Sequence, residues 1–222
     1  MTLILSIVSF IILIYLVIGI TDIRRNIFIE SINSVKKGHF CLTFDDGPDP
    51  IMTPKILKIL NKHGAKATFF LIGKNIISNE ELVKKISEEG HSIGNHTYYH
   101  RTNFPICSKS KITKDLEKTN KTLERITFKK TKLFRPPFGI TNPNINFVLK
   151  KLNLKSVGWG IRSLDTVTKD SKKLYKKVKN GIDKGQSIVL FHDRCESTLE
   201  ILENVIIYCN EKKLKCVTIH NA

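Results

Sequence analysis

The chain has 222 residues, 41% of them hydrophobic and 26% charged, with 37 Lys and Arg against 20 Asp and Glu. This composition excludes a disordered or collagen-like chain and fits one globular domain with a sizeable core. The net charge of +17 favours anionic partners, yet the basic residues are scattered as pairs such as Lys84-Lys85, Lys129-Lys130 and Lys172-Lys173. No RNA-binding signature or zinc finger organises them, so no nucleic-acid partner is expected.

The first element is an uncharged run, Leu3 to Ile20. As a helix it is about 27 Å long, close to a hydrocarbon core of ~30 Å. No basic segment precedes it and no small-residue cleavage site follows. Residues 1–21 are therefore expected as a retained, single-pass membrane anchor rather than a cleaved signal. Arg24, Arg25, Lys36 and Lys37 make 22–37 a basic juxtamembrane segment, and the positive-inside rule then puts the following domain in the cytoplasm.

From His39 onward, short apolar strands alternate with helical segments. "HFCLTF" reads as a strand, and Thr53-Pro54 opens a helix that Gly64 closes. "ATFFLIG" is the next strand, followed by a helix with Ser78 and Glu81 as its capping box and Gly90 at its end. "HSIGNHT" is a short strand running into a loop. A Lys-rich helix over about 109–126 buries Ile112, Leu116, Leu123 and Ile126. "KLFRPPFG" must end as a loop, because two prolines do not fit a central strand. Residues 143–152 are helical, "KSVGWGI" is a strand, and Leu174, Val178 and Ile182 mark another helix. "SIVLFH", the helix of Leu199, Leu202, Ile206 and Cys209, and the strand "KCVTI" complete the chain. Repeated strand-then-helix units imply a parallel sheet, and seven strands suit a closed or nearly closed barrel over residues 38–222. Five cysteines (Cys41, Cys107, Cys195, Cys209, Cys216), odd in number and without a CxxC pair, are expected as free thiols.

In such folds the chemistry sits at the carboxyl ends of the strands. Asp45 and Asp46, His96 and His100, Arg135, Asp165 and His192 all fall there. Two adjacent carboxylates resist joint ionisation. A divalent cation held by one of them, with His96 and His100 one helical turn apart, relieves the repulsion and leaves the other free as a base. His39, His63, His91 and His220 are expected in structural or solvent-facing roles.

"TFDDGP", "NHTYYH", "RPPFG" and "SIVLFHD", in that order, resemble four of the five motifs of the polysaccharide deacetylases (the NodB-homology group, carbohydrate esterase family 4). The resemblance implies a distorted (β/α)7 barrel and metal-dependent hydrolysis of N-acetyl groups from a polysaccharide, oligosaccharide or lipid-linked sugar. It implies Asp45 as general base and Asp46, His96 and His100 as ligands of one divalent ion, zinc first, with cobalt, nickel or iron as alternatives. Arg135 then tunes the base, His192 is the general acid held by Asp165, and Leu190 receives the acetyl methyl. Pro137, Phe138 and Trp159 are expected at the substrate. The oxyanion is assigned a backbone N–H near Pro48–Asp49 or Tyr98–Tyr99.

The fourth motif departs from the family. Where members often carry Asp-x-x-Asp-Trp, this chain has "RSLDT", with Arg162 in place of the first acid and Thr166 in place of the tryptophan. A carbohydrate-binding protein without turnover, a basic membrane-bound scaffold for anionic polymer, and a deacylase for a non-sugar amide or O-acetyl ester are the alternatives. Family members more often work outside the cytoplasm, so the resemblance and the charge flanking disagree on the side of the membrane.

Overall fold

A computed structural model describes residues 1–219; His220 lies outside them. The chain opens with α1 (Thr2–Thr21), then β1 (Ser31–Ile32), β2 (His39–Asp45), α2 (Met52–Lys62), β3 (Ala67–Leu71), the single turn α3 (Gly73–Ile76), α4 (Glu80–Glu88) and β4 (Ser92–Asn95). It continues through α5 (Lys109–Thr127), β5 (Leu133–Phe134), α6 (Pro143–Lys151), β6 (Lys155–Val157), β7 (Ile161–Arg162), α7 (Ser171–Asp183), β8 (Ile188–His192), α8 (Glu196–Glu211) and β9 (Lys215–Cys216).

The strands form one parallel sheet in the order β1-β6-β5-β4-β3-β2-β8-β7, with β9 beside the start of β2. The sheet curls without closing, as a (β/α)7-type half-barrel. β6 and β7 stand near opposite ends of the order, yet only Gly158, Trp159 and Gly160 separate them. Three residues reach on the order of 10 Å, so the two edges come close together. "KSVGWGI" is therefore two strands rather than one. Its break coincides with Arg135, whose guanidinium takes the Val157 and Gly158 carbonyls that a continuous strand would give to a neighbour.

Central strands β2, β3 and β8 are buried along nearly their whole length, as strands covered on both faces must be. One core packs Phe44, Phe69 and Phe191 from these strands against α2, α7 and α8. A second, on the other side of the sheet, holds Cys41, Phe70, Trp159, Leu190 and Ile23. The stripe expected on α5 is buried as read, and all five cysteines are free.

Two helix starts differ from expectation. Asp49, rather than Thr53, caps α2: its Oδ1 accepts from the Ile51 and Met52 N–H groups at 2.9 and 2.7 Å. The capping box at Ser78 does not form. α3 has already turned the chain there, so Asn79 becomes the residue before α4, with its side chain donating back to Asn75 O.

Residues 22–37 also pack onto the barrel. Ile23 and Ile29 are buried, and Ser31 pairs with β6 and shares a 2.7 Å hydroxyl contact with Ser156. Helix α1 stands out from the rest, its apolar side chains largely exposed. Its last turn is held by Thr141, whose N–H donates to Ile20 O at 3.0 Å and whose hydroxyl donates to Gly19 O at 2.6 Å.

Candidate active site

The register of β2 against β8 sets Asp45 directly beside His192 at the carboxyl ends of the sheet. Asp45 is buried, and its Oδ1 accepts from Arg135 at 2.8 Å. The Arg135 side chain is fully buried and also donates to Thr43 Oγ1, Val157 O and Gly158 O, while lying 4.2 Å from the Phe70 ring centroid. Burial presses its pKa down, and the Asp45 charge opposes that. A guanidinium is the one cation whose planar fork can meet all four acceptors here.

Asp46 follows in a left-handed conformation (φ 77°), which turns its carboxylate into the pocket. Its Oδ1 lies 3.5 Å from His96 Nε2 and 3.4 Å from His100 Nε2. The two histidines converge through a loop, not the expected helical turn. Thr97 N–H donates to Asn95 Oδ1, His100 N–H donates to Thr97 Oγ1, and Thr97 and His100 are both left-handed. Gly47 is required just after the acid pair, since a Cβ there would stand 2.0 Å from the Asp193 carboxylate. Among the described residues, four of the nine non-glycine positions with positive φ (Asp46, His100, Phe138 and Leu164) line this one pocket, the clustering typical of functional loops.

These donors fit a divalent cation. One atom from each of Asp46, His96 and His100 lies within 4.8 Å of the others. His96 Nδ1 donates to Arg135 O at 2.8 Å, which leaves the Nε2 lone pair directed away from that bond, as an oriented ligand needs. Arg194 donates from Nε to Asp46 Oδ2 at 2.9 Å, so Oδ1 is the oxygen free to face the histidines. Burial alone would raise the Asp46 pKa; the imidazoles of His96, His192 and His100 that face it overcome that and hold the carboxyl well below its usual range. Burial, with His96 beside it, lowers His100 to about 4, which keeps its imidazole neutral.

On the opposite side, His192 Nδ1 donates to Asp165 Oδ1 at 2.8 Å, and its backbone N–H donates to Asp165 Oδ2 at 2.6 Å. Asp165 is itself fixed by Ser163 and Thr198. Burial works to lower the His192 pKa, but the hydrogen bond and charge of Asp165 raise it overall. The pair keeps His192 Nε2 available to the pocket as an acid.

The pocket between them holds about 160 Å³ and is walled by Phe138, Trp159, Leu190, Arg162, Leu164 and Thr166. Trp159 packs so closely over Gly139 that a Cβ there would stand 2.4 Å from its ring. A larger cleft of about 570 Å³ beside β1 and α6 holds no histidine, cysteine or aspartate.

Two expectations are corrected. Pro137 is buried behind the loop and does not line the pocket. The backbone donors near Asp49 and Tyr98 are already engaged, Asp49 N–H with Thr53 Oγ1 and Tyr98 N–H with Asp115 Oδ1. The Phe138 N–H, at a left-handed residue of the pocket wall (φ 59°), makes no hydrogen bond among the described residues. Arg194 and Asp193 were not singled out in the sequence, although both adjoin His192 in "FHDR". Asp193 is buried on Thr53, and burial, with Asp46, Asp49 and Asp45 nearby, raises its carboxyl to about 7. Among the other histidines, His63 meets Glu203 at a helix end and His91 is buried beside Phe69, both structural places.

A parallel half-barrel with an Asp-His-His cluster and a carboxylate–histidine pair at its strand ends defines a hydrolase-type site. The family model for polysaccharide deacetylase matches residues 33–157, and the chain belongs to that family. A peptidoglycan-N-acetylglucosamine deacetylase of Bacillus cereus is 40% identical over 139 residues, covering 60% of this chain and 50% of the relative. This chain spans 37–50% of the length of that protein and of the Listeria monocytogenes deacetylase it also matches. Among solved structures, a family 4 carbohydrate esterase from Streptomyces lividans in complex with acetate aligns with TM-score 0.77 at 27% identity, covering 83% of this chain and 94% of that one. BA3943 of Bacillus anthracis, described as a pseudoenzyme of the same esterase family, aligns as a mutant with restored activity with TM-score 0.78 at 32% identity, covering 84% of this chain and 67% of that one.

Proposed function

We propose that this protein is a metal-dependent carbohydrate N-deacetylase that hydrolyses an N-acetyl group to acetate and a free amine. The observation that carries the reading is the register of Asp45 against His192, which sets a base on Arg135 and an acid on Asp165 across a pocket beside three metal donors. Asp46, His96 and His100 would hold the cation, with zinc first and cobalt, nickel or iron as alternatives. When bound, such a cation supplies Lewis acidity, polarising a carbonyl and acidifying water.

The chain's own residues do the rest. Asp45 spends Oδ1 on Arg135 and takes the proton of the attacking water on Oδ2. The new C–O bond pushes charge onto the carbonyl oxygen, to which we assign the Phe138 N–H as backbone donor. His192, cationic by virtue of Asp165, gives its proton to the leaving nitrogen as the C–N bond breaks. Leu190 and Trp159 offer apolar surface for the acetyl methyl. Relatives named for peptidoglycan and chitooligosaccharide support an N-acetylated glycan as substrate.

Residues 1–21 act as a membrane anchor in this reading. Ile4–Thr21 has a mean hydropathy of 2.8 and is almost wholly outside the packed core. A sugar-binding protein without turnover is the second reading, favoured by the altered wall of Arg162 and Thr166.

The test is acetate release by the full chain in detergent, from N-acetylglucosamine oligomers and peptidoglycan, before and after chelation and after zinc or cobalt is added back. The expected outcome is metal-dependent release that falls about 10²- to 10⁴-fold in Asp45→Asn. No release from protein carrying one equivalent of metal sinks the deacetylase and leaves the binding reading.

A further inference from the structure

Arg162 lines two spaces at once. It forms part of the pocket wall, and it also borders a groove of about 560 Å³ between the edge strand β7 and helix α7. Five more cations line that groove (Arg24, Lys173, Lys176, Lys177 and Lys184), and no Asp or Glu does. Arg24 is held by Asp22 and Lys173 by Asp170. Arg162, Lys176, Lys177 and Lys184 make no ion pair among the described residues. Asp183, the acid on the same helix, is turned to Tyr208 and Lys212 instead.

Some lysines on other helices are paired, Lys62 with Glu203, Lys84 with Glu88 and Lys85 with Glu89, and others such as Lys58 and Lys121 are not, among the described residues. What sets α7 apart is that its lysines line one groove with Arg162 and without an acid. On α7 the apolar stripe of Leu174, Val178 and Ile182 faces the core, so the lysines gather on the outer side. Like charges at three- and four-residue spacing weaken a helix, and a row left without acids gains stability when an anion enters it. The junction residue is also where the chain departs from its family, since Arg162 stands in place of an acid and inverts the charge at the pocket wall.

We propose that this groove is a substrate subsite for a negatively charged group. The sugar whose N-acetyl group enters the pocket carries, or is linked next to, a phosphate or carboxylate that lies against Arg162 and the lysines of α7. The inference rests on the deacetylase reading and deepens it: the preferred substrate is an acidic N-acetylated saccharide.

The full-length, metal-loaded protein in detergent is assayed on three saccharides of equal length. One is a neutral N-acetylglucosamine oligomer, one carries a phosphate at the reducing end, and one carries a lactyl carboxylate on the neighbouring sugar. At low salt, kcat/KM for at least one acidic saccharide is expected to exceed the neutral one about tenfold, and the advantage shrinks as salt rises. The acid that gains more identifies the source of the charge. Arg162→Asp and the double variant Lys176→Gln/Lys177→Gln each lower the acidic-to-neutral ratio about three- to tenfold. Removing two exposed lysines elsewhere, Lys58→Gln with Lys121→Gln, leaves the ratio unchanged.

A wild-type ratio near one, or a ratio that the groove variants do not move, overturns the proposal. So does weaker binding of the variants to phosphatidylglycerol vesicles with the ratio intact, which assigns the groove to lipid headgroups. Binding of N-acetylglucosamine 1-phosphate, measured by titration calorimetry, needs no turnover. Groove-dependent binding without acetate release from any saccharide upholds the anion subsite and overturns the deacetylase reading instead.

Discussion

On one side of the pocket, Asp45, His96 and Arg135 stand at the ends of strands from the middle of the sheet, and each is pinned by buried partners. On the other, Arg162, Leu164 and Thr166 hang from β7, an edge strand of two residues, and Arg162 and Thr166 are exposed. A change on the first side leaves a buried polar group without its partner, which is costly. A change on the second is met by water. The side that holds the chemistry therefore keeps its family pattern, while the exposed side carries the departures, Arg162 and Thr166. On the deacetylase reading, the interior would govern the reaction and the rim what reaches it.

The contrast is broken most directly at Arg135. Arg135→Met leaves the Asp45 carboxylate buried and unpaired, and a loss of about 3–5 kcal/mol is expected by urea unfolding. A loss below about 1 kcal/mol contradicts the account of the buried side. Next comes Asp165→Asn. The acid role of His192 is present below its raised pKa and lost as pH rises through it, so removing the Asp165 charge lowers that pKa. The alkaline limb of acetate release then moves to lower pH, and the rate falls about 10- to 10²-fold. The stability side has the same sign. The pair's contribution is full below the ordinary histidine value of 6.5 and disappears as pH rises through the folded one. An unmoved alkaline limb removes His192 from the acid role. The smallest effect is on the rim: Thr166→Trp is expected to change stability by no more than about 0.5 kcal/mol, while altering KM for oligosaccharides. A large destabilisation there would erase the distinction between the two sides.

Much of this was legible in the sequence because strand ends concentrate chemistry. The Asp45-Asp46 pair, the two histidines and His192 announce themselves as polar residues directly after apolar runs. What was not legible depends on long-range geometry. Arg194 reaches Asp46 across 148 positions of sequence, and no local pattern marks that approach. β1 is two residues long and exists because β6 offers it an edge, so it leaves no periodicity of its own. The meeting of His96 and His100 was read correctly from spacing but for the wrong reason. Two left-handed residues, Thr97 and His100, bring the rings together where a helical turn was assumed. The backbone donors expected near Asp49 and Tyr98 are spent on Thr53 and Asp115, partners that lie outside the motifs and that no local pattern marks.

The grip of Thr141 on the Gly19 and Ile20 carbonyls bears on where the pocket can sit. Those carbonyls are among the last of α1, which have no partner within the helix, and Thr141 stands two residues after Gly139 of the pocket wall. With α1 in a bilayer, the mouth of the site is not on a leash. It would ride at a fixed height over the lipid surface and sweep a thin layer as the protein diffused in two dimensions. A glycan substrate lying within that layer would be met at high effective concentration, and one farther out would not.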